Sequence, residues 1–298
     1  MFNRRLMLIT LLSISCAVSV PSLVFAKDFT SARIGVRSVG AGSDVILIPG
    51  LASSPRVWAE MLKAIPGHRY HMIQVSGFAG QPFSVNSASG DGLVAAPVAE
   101  EIARYIAEQG LQKPAVIGHS LGGTIGMMLA ARHPQAISSL MVVDMLPFLG
   151  ALFGPPGTTA SSIQPTADFI LANMRKADPA ARQQTAQAAL NGMIDTVAMR
   201  AGAIEDSVKS DADVNARAYH ELIVTDLTPE LAKIVVPVTV LYVLPKGIPF
   251  TETQMDAYYQ AAYAPLKGVM LKRIPASAHF IMWDQPEQFQ NEVKNFLK

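Results

Sequence analysis

The sequence contains a single cysteine among its 298 residues, Cys16, and that one lies in an apolar stretch near the N-terminus. Beyond it there is no partner for a disulfide, no thiol nucleophile and no cysteine metal site. Charge of either sign is scarce as well. Lys and Arg number 24 against 23 Asp and Glu, charged residues make up 16% of the chain, and no run of basic residues occurs. A nucleic-acid or anionic membrane surface as partner is thereby disfavoured. H-E-x-x-H and nucleotide-loop motifs are missing, as are internal repeats and long low-complexity tracts, so neither a metal nor an organic cofactor is implied.

Long apolar runs are equally rare. The one candidate is Leu6 to Val20, preceded by Arg4 and Arg5, broken by Pro21 and followed by the small-residue site Val24-Phe25-Ala26. At about 15 residues it is short of the ~20 needed to span a bilayer, so residues 1–26 are expected to be an export signal. The alternative is a retained membrane anchor. Ser13, where a lipoprotein signal usually has Leu, argues against lipid attachment at Cys16. The expected compartment is periplasmic or secreted, with no stable membrane insertion after cleavage. Residues 27–298 suffice for one large domain carrying an insertion.

What the chain does have is Gly118-His119-Ser120-Leu121-Gly122-Gly123, set between the apolar run Pro114–Ile117 and a helical pattern that continues to Arg132. The spacing predicts a strand, a sharp turn and a helix, with a serine at the tip. Glycines flank the serine because the turn brings backbones too close for a Cβ. A helix beginning at that point aims free N–H groups and a positive dipole end at developing negative charge.

Other short apolar runs alternate with helical patterns. Strands are expected at 44–48, 70–75, 114–117, 140–143, 237–244 and 269–274, and helices at 55–65, 94–109, 252–263 and 286–297. Continuous Val/Ile/Leu strands separated by helices predict a mostly parallel sheet flanked by helices on both faces. Ligands bind such sheets at the carboxyl ends of the strands. Residues 145–233 break the alternation. They open on an apolar, turn-rich stretch, Met145 to Gly157, and then read as helices over 167–176 and 180–204. In the second, Ala186, Leu190, Met193, Ile194, Val197 and Ala201 form one stripe at helical spacing. The insert is expected to be a helical lid; an outlying subdomain packed on the scaffold is the alternative.

Three segments, Ile48-Pro49-Gly50-Leu51, Gly118-His119-Ser120-Leu121-Gly122 and Ala276-Ser277-Ala278-His279-Phe280, make the chain resemble the α/β-hydrolase family over nearly all of residues 27–298. The resemblance implies an α/β-hydrolase fold, with a core of 27–144 and 234–298 and the lid of 145–233 inserted in it. A serine in the elbow looks like the esterase, lipase and acyl-transfer branch; dehalogenases and epoxide hydrolases of this fold use aspartate.

Ser120 is the expected nucleophile and needs a base. His279, in a loop after the last strand, is the best placed of the six histidines. His119 is expected to pack beside the nucleophile and His133 to complement a helix end, while His68, His71 and His220 have no special context. The acid departs from the commonest family pattern. Pro245 to Phe250, after the strand that often carries it, contains no carboxylate before Glu252. Part of the family instead places the acid after the preceding strand, which is Asp144 here; Glu252 and Asp256 are the alternatives. The resemblance makes the backbone N–H groups of Leu51 and Leu121 the oxyanion hole. It implies a small-molecule substrate, a carboxylic ester first, and the apolar lid entry, Leu146 to Phe153, points to an ester with an apolar part. An amidase or acyltransferase on the same residues, and a non-catalytic binding or accessory protein with a degenerate triad, are the other readings.

Overall fold

The computed structural model of the chain describes residues 29–83 and 92–298; residues 1–26, expected to be an export signal, lie outside the described residues. Seven strands form one sheet: β1 (Ile34–Gly40), β2 (Ser43–Ile48), β3 (His68–Val75), β4 (Ala115–His119), β5 (Ser139–Val143), β6 (Val238–Tyr242) and β7 (Met270–Arg273). Their order is β1-β3-β2-β4-β5-β6-β7. Every pairing is parallel except β1 against β3. Strand β1 is absent from the sequence reading because Ile34 alone in it is fully buried. An edge strand with one solvated face carries no continuous apolar signature.

The two faces separate residue by residue. Ile46 and Ile48 of β2, Val116 of β4 and Leu140 and Val142 of β5 point into one core with α2 (Ala95–Glu108), α3 (Leu121–Arg132) and α8 (Glu252–Ala262). Val45, Leu47, Ile117, Met141 and Val143 point the other way. They meet α1 (Ala59–Ala64), α9 (Ile281–Asp284) and α10 (Pro286–Phe296), with Trp58 and Phe289 stacked at a ring distance of 6.3 Å. The period of two along each strand makes both cores from one apolar run. The sheet thus lies between two helical layers, and the residues expected to do chemistry fall at its carboxyl edge.

Between β5 and β6 the chain forms α4 (Ala160–Lys176), α5 (Pro179–Met193), α6 (Val197–Lys209) and α7 (Ala212–Val224). Helix α4 starts earlier than the sequence pattern suggests, because Thr159 and Ser162 form a capping box and Pro165 is accommodated within the helix. The single helix expected over 180–204 is in fact two, α5 and α6. Ile194 is fully buried, whereas Met193 and Val197 are 42% and 69% exposed, so the apparent stripe is not one face. The break at 194–196 has a tertiary cause. The backbone N–H groups of Asp195 and Thr196 are captured by the Asp284 carboxylate, 89 and 88 residues away.

Helix α2 has no local cap, since its N-cap residue is Val94. Glu221 of α7 supplies one instead. Its buried carboxylate accepts the N–H groups of Val94, Ala95 and Ala96 at 2.6, 2.7 and 2.8 Å. A carboxylate at a helix N-terminus satisfies orphan donors and complements the dipole. Among the described residues, no helix is long and apolar enough to cross a membrane.

Candidate active site

Ser120 sits between β4 and α3 with φ 54° and ψ −122°. That backbone is strained for a residue with a Cβ, and close packing maintains it. A methyl at Gly118 would run into the carbonyl of Gly122, and one at Gly122 into the carbonyls of Ile48 and Pro49. The glycines thus let the elbow fold on itself and press against the loop leaving β2. In that loop, a Cβ at Gly50 would come within 3.1 Å of both His119 Nδ1 and Ser120 Cβ. Leu51 therefore follows directly on the serine's neighbour. Leu121, the first residue of α3, has an N–H with no acceptor inside its own helix.

Among the described residues, non-glycine positive φ recurs at Ala52, Ala79, Asp144 and Ala276, each 52°, and at Lys113, 49°. The first four follow β2, β3, β5 and β7 as Ser120 follows β4, so most of this strained backbone lies along the carboxyl edge of the sheet; Lys113, before β4, is the exception.

The structure brings Ser120, Asp144 and His279 to that edge from separate segments. The Ser120 N–H reaches Val143 O at 2.9 Å, which seats the elbow beside Asp144. The Asp144 N–H in turn reaches Leu241 O at 2.7 Å. Asp144 is buried, and its Oδ2 lies 2.6 Å from His279 Nδ1. Its Oδ1 accepts the Val243 N–H at 3.1 Å and, at the long distance of 3.4 Å, the Tyr259 hydroxyl. Burial, and after it the charge of Asp144, pushes the Tyr259 hydroxyl well above its ordinary pKa, so it stays a donor. With Nδ1 turned to the carboxylate, Nε2 is the ring nitrogen of His279 that Asp144 leaves unengaged.

The alternative acids are elsewhere engaged. Glu252 is paired with Arg273 at 2.8 Å and its side chain is 64% exposed. Asp256 accepts the Tyr242 hydroxyl and the Arg273 Nε–H, both at 2.8 Å. Neither is bonded to His279.

His119 is fully buried, its ring centroid 4.6 Å from that of His279. Burial, reinforced by His279, lowers its pKa well below the ordinary histidine value, so its ring is neutral. Its Nε2, 3.1 Å from the His279 carbonyl, must then carry the hydrogen. As expected, it packs beside the nucleophile. Of the remaining histidines, His133 caps α3 and pairs with Glu100, and His220 pairs with Asp168. His71 is the surprise, buried with Asp44 at 2.9 Å and the Tyr105 hydroxyl at 2.6 Å. Nothing in its local sequence signals this. Among the described residues, no group of three or more His, Cys, Asp or Glu is placed to hold a metal ion.

The helical insert meets this edge on both sides. On one, Asp206 of α6 bonds Ser54 Oγ at 2.5 Å and Arg56 at 2.9 Å, close behind the Leu51 loop. The Ser210 hydroxyl accepts the Ala79 N–H at 2.9 Å. On the other, the turn between α5 and α6 contacts the His279 loop, where the Phe280 N–H reaches Met193 O at 3.2 Å. Of the apolar stretch that opens the insert, Met145, Leu146 and Phe148 are buried while Leu152 is 54% exposed.

Residues 45–286 match the sequence profile of the alpha/beta hydrolase fold family. The chain belongs to the α/β-hydrolase family. Within this family it is 30% identical over 126 residues to the pimeloyl-[acyl-carrier protein] methyl ester esterase of Aeromonas hydrophila. That match covers 42% of this chain and 46% of the relative, less than half the length of either. Two solved structures share the α/β-hydrolase fold over most of the chain. A hydrolase from Pseudomonas aeruginosa PA01 superposes with a TM-score of 0.72 at 19% identity, covering 89% of this chain and 94% of that one. The enol-lactonase of Burkholderia xenovorans LB400 gives 0.70 at 18% identity, covering 90% and 98%.

Proposed function

We propose that this α/β-hydrolase is an exported serine hydrolase that cleaves an acyl bond, a carboxylic ester before others. The observation that carries the reading is the 2.6 Å contact between Asp144 Oδ2 and His279 Nδ1, beside the strained turn that holds Ser120. Ser120 Oγ attacks the acyl carbonyl as His279 Nε2 takes its proton. Asp144 fixes the imidazole tautomer and stabilises the imidazolium that forms. The Leu51 and Leu121 N–H groups receive the negative oxygen of the tetrahedral intermediate, each worth about 10²–10³ in rate. His279 then returns the proton to the leaving alcohol. Water, activated by the same imidazole, releases the acid from the acyl-enzyme.

Against a degenerate triad stands the 2.6 Å contact of Asp144 with His279, which gives the imidazole a carboxylate although Pro245 to Phe250 holds none. An ester is taken as the first substrate class on the activity named for the Aeromonas relative. The exposed Leu152 and Phe153 at the start of the insert favour an apolar substrate portion, and residues 145–233 serve as the lid. Export is supported by Arg4 and Arg5, the apolar run to Val20 and the Val24-Phe25-Ala26 site.

The test is labelling with a fluorophosphonate together with turnover of a series of p-nitrophenyl esters. The protein covering residues 27–298 is expected to label and to hydrolyse, and Ser120→Ala to do neither. Absence of labelling in the unmodified protein would overturn the proposal.

A further inference from the structure

Three backbone groups around His279 are held, each by a different partner. Its own carbonyl receives the Nε2–H of His119 at 3.1 Å. The N–H before it, that of Ala278, goes to Asp284 Oδ2 at 3.1 Å. The N–H after it, that of Phe280, goes to Met193 O in the insert. Asp284 is also the residue that breaks the insert's helical stripe. Its Oδ1 takes the N–H of Asp195 at 3.0 Å and that of Thr196 at 2.8 Å. One carboxylate therefore clasps two segments, the loop carrying His279 and the turn between α5 and α6.

Its link to His279 is short and stiff. The Asp284 and Trp283 N–H groups both return to Phe280 O, at 3.1 and 2.9 Å, so a single helical turn separates the clasp from the imidazole. The Thr196 hydroxyl adds a bond to Trp283 O at 3.0 Å. Charge-assisted bonds from backbone N–H groups to a carboxylate are about twice as strong as neutral ones. Asp284 makes its bonds to three different N–H groups.

Resting on the serine hydrolase reading above, we infer that Asp284 is a positioning residue: it braces the helical insert against the His279 loop and so sets the imidazole in line with Asp144 and Ser120. The insert is then part of the catalytic framework, and the α5–α6 turn does not swing away from the site when substrate enters. A general base displaced by even about 1 Å can lose up to ~10² in rate.

The experiment compares Asp284→Ala and Asp284→Asn with the unmodified protein in two readouts. The first is ester turnover, where kcat is expected to fall between about tenfold and 10²-fold in Asp284→Ala while KM changes far less. Asp284→Asn, which keeps an acceptor oxygen, is expected to lie between the two. The second is the proton NMR signal of the hydrogen shared by Asp144 and His279. It should stand far downfield in the unmodified protein and move or broaden in Asp284→Ala. Glu221→Gln, which loosens the insert elsewhere, should leave that signal in place. An unchanged signal with unchanged kcat in a folded Asp284→Ala would overturn the inference. If Asp284→Ala does not fold, an unchanged signal and kcat in Asp284→Asn overturn it equally. The signal is readable without turnover, so failure of the hydrolase reading, seen as no labelling of the unmodified protein, remains a separate outcome.

Discussion

Asp144 Oδ2 accepts the Nδ1–H of His279 at 2.6 Å, while its Oδ1 is held by the N–H of Val243. Asn at position 144 could keep the second bond but would present either a poorer acceptor or an N–H to the imidazole. On the proposed mechanism Asp144→Asn lowers kcat by about 10⁴, the size of the same change in a well-studied triad. Glu252→Gln should leave kcat near the starting value, since Glu252 serves only an exposed pair with Arg273. Steady-state kinetics with one p-nitrophenyl ester separates the two. The reverse ranking would move the acid to Glu252.

The parts of this edge that were legible in sequence are those encoded locally. The elbow is readable because Gly118 meets Gly122 within one turn, although Gly122 also meets the remote Ile48 and Pro49, and the inner strands because both their faces are apolar. Asp144 emerged only by combining the empty Pro245–Phe250 loop with a family pattern. What escaped notice depends on partners remote in sequence. Nothing near Val94 reveals that Glu221, 127 residues later, closes its helix. The stripe from Ala186 to Ala201 is real helical spacing, but locally favourable periodicity lost to the capture of Asp195 and Thr196 by Asp284. His71 gave no local sign of its bonds to Asp44 and Tyr105, because these come from a strand and a helix elsewhere.

The elbow makes a steric prediction. Gly118→Ala forces a methyl against a backbone carbonyl that cannot rotate away, whereas the site at Gly35 has nothing within 4 Å. Overpacking of this kind costs about 1–3 kcal/mol and sometimes more, and a compatible Gly→Ala change gains about 0.4–1 kcal/mol. Urea unfolding of the two variants should therefore move in opposite directions. Gly118→Ala is also expected to label poorly with fluorophosphonate, since relief of the clash must shift Ser120.

Two buried histidines set the acid side of the stability profile. Burial is the main cause that lowers the pKa of both His71 and His119. Each folded value is then below the ordinary 6.5, so between the two values the unfolded chain binds more protons than the folded one. Their contribution is complete above pH 6.5 and is lost as the pH falls toward the folded values. Each group can add a slope of at most about 1.4 kcal/mol per pH unit. Denaturant midpoints measured from pH 7.5 down to 5.5 should decline, and His119→Gln should make the decline shallower. A flat profile over that range would contradict the assignment of neutral rings.

Glu221 offers the sharpest stability test, because one side chain closes a helix of the core from within the insert. Three backbone donors at the start of α2 converge on its two oxygens. In Glu221→Gln one oxygen becomes an NH₂ group facing N–H groups, and the charge that complements the helix dipole disappears. A bond to a charged group is worth about 1.5–3 kcal/mol, and at least one buried donor loses its acceptor, so a loss of about 3 kcal/mol is expected. For a domain of this size that is roughly 6–12 °C in Tm. Hydrogen exchange at Val94, Ala95 and Ala96 should accelerate before exchange in the central strands does. Turnover at 25 °C should hold, since Glu221 belongs to neither the Ser120 turn nor the His279 loop. A variant as stable as the unmodified protein would mean that water serves the α2 terminus as well as the carboxylate does.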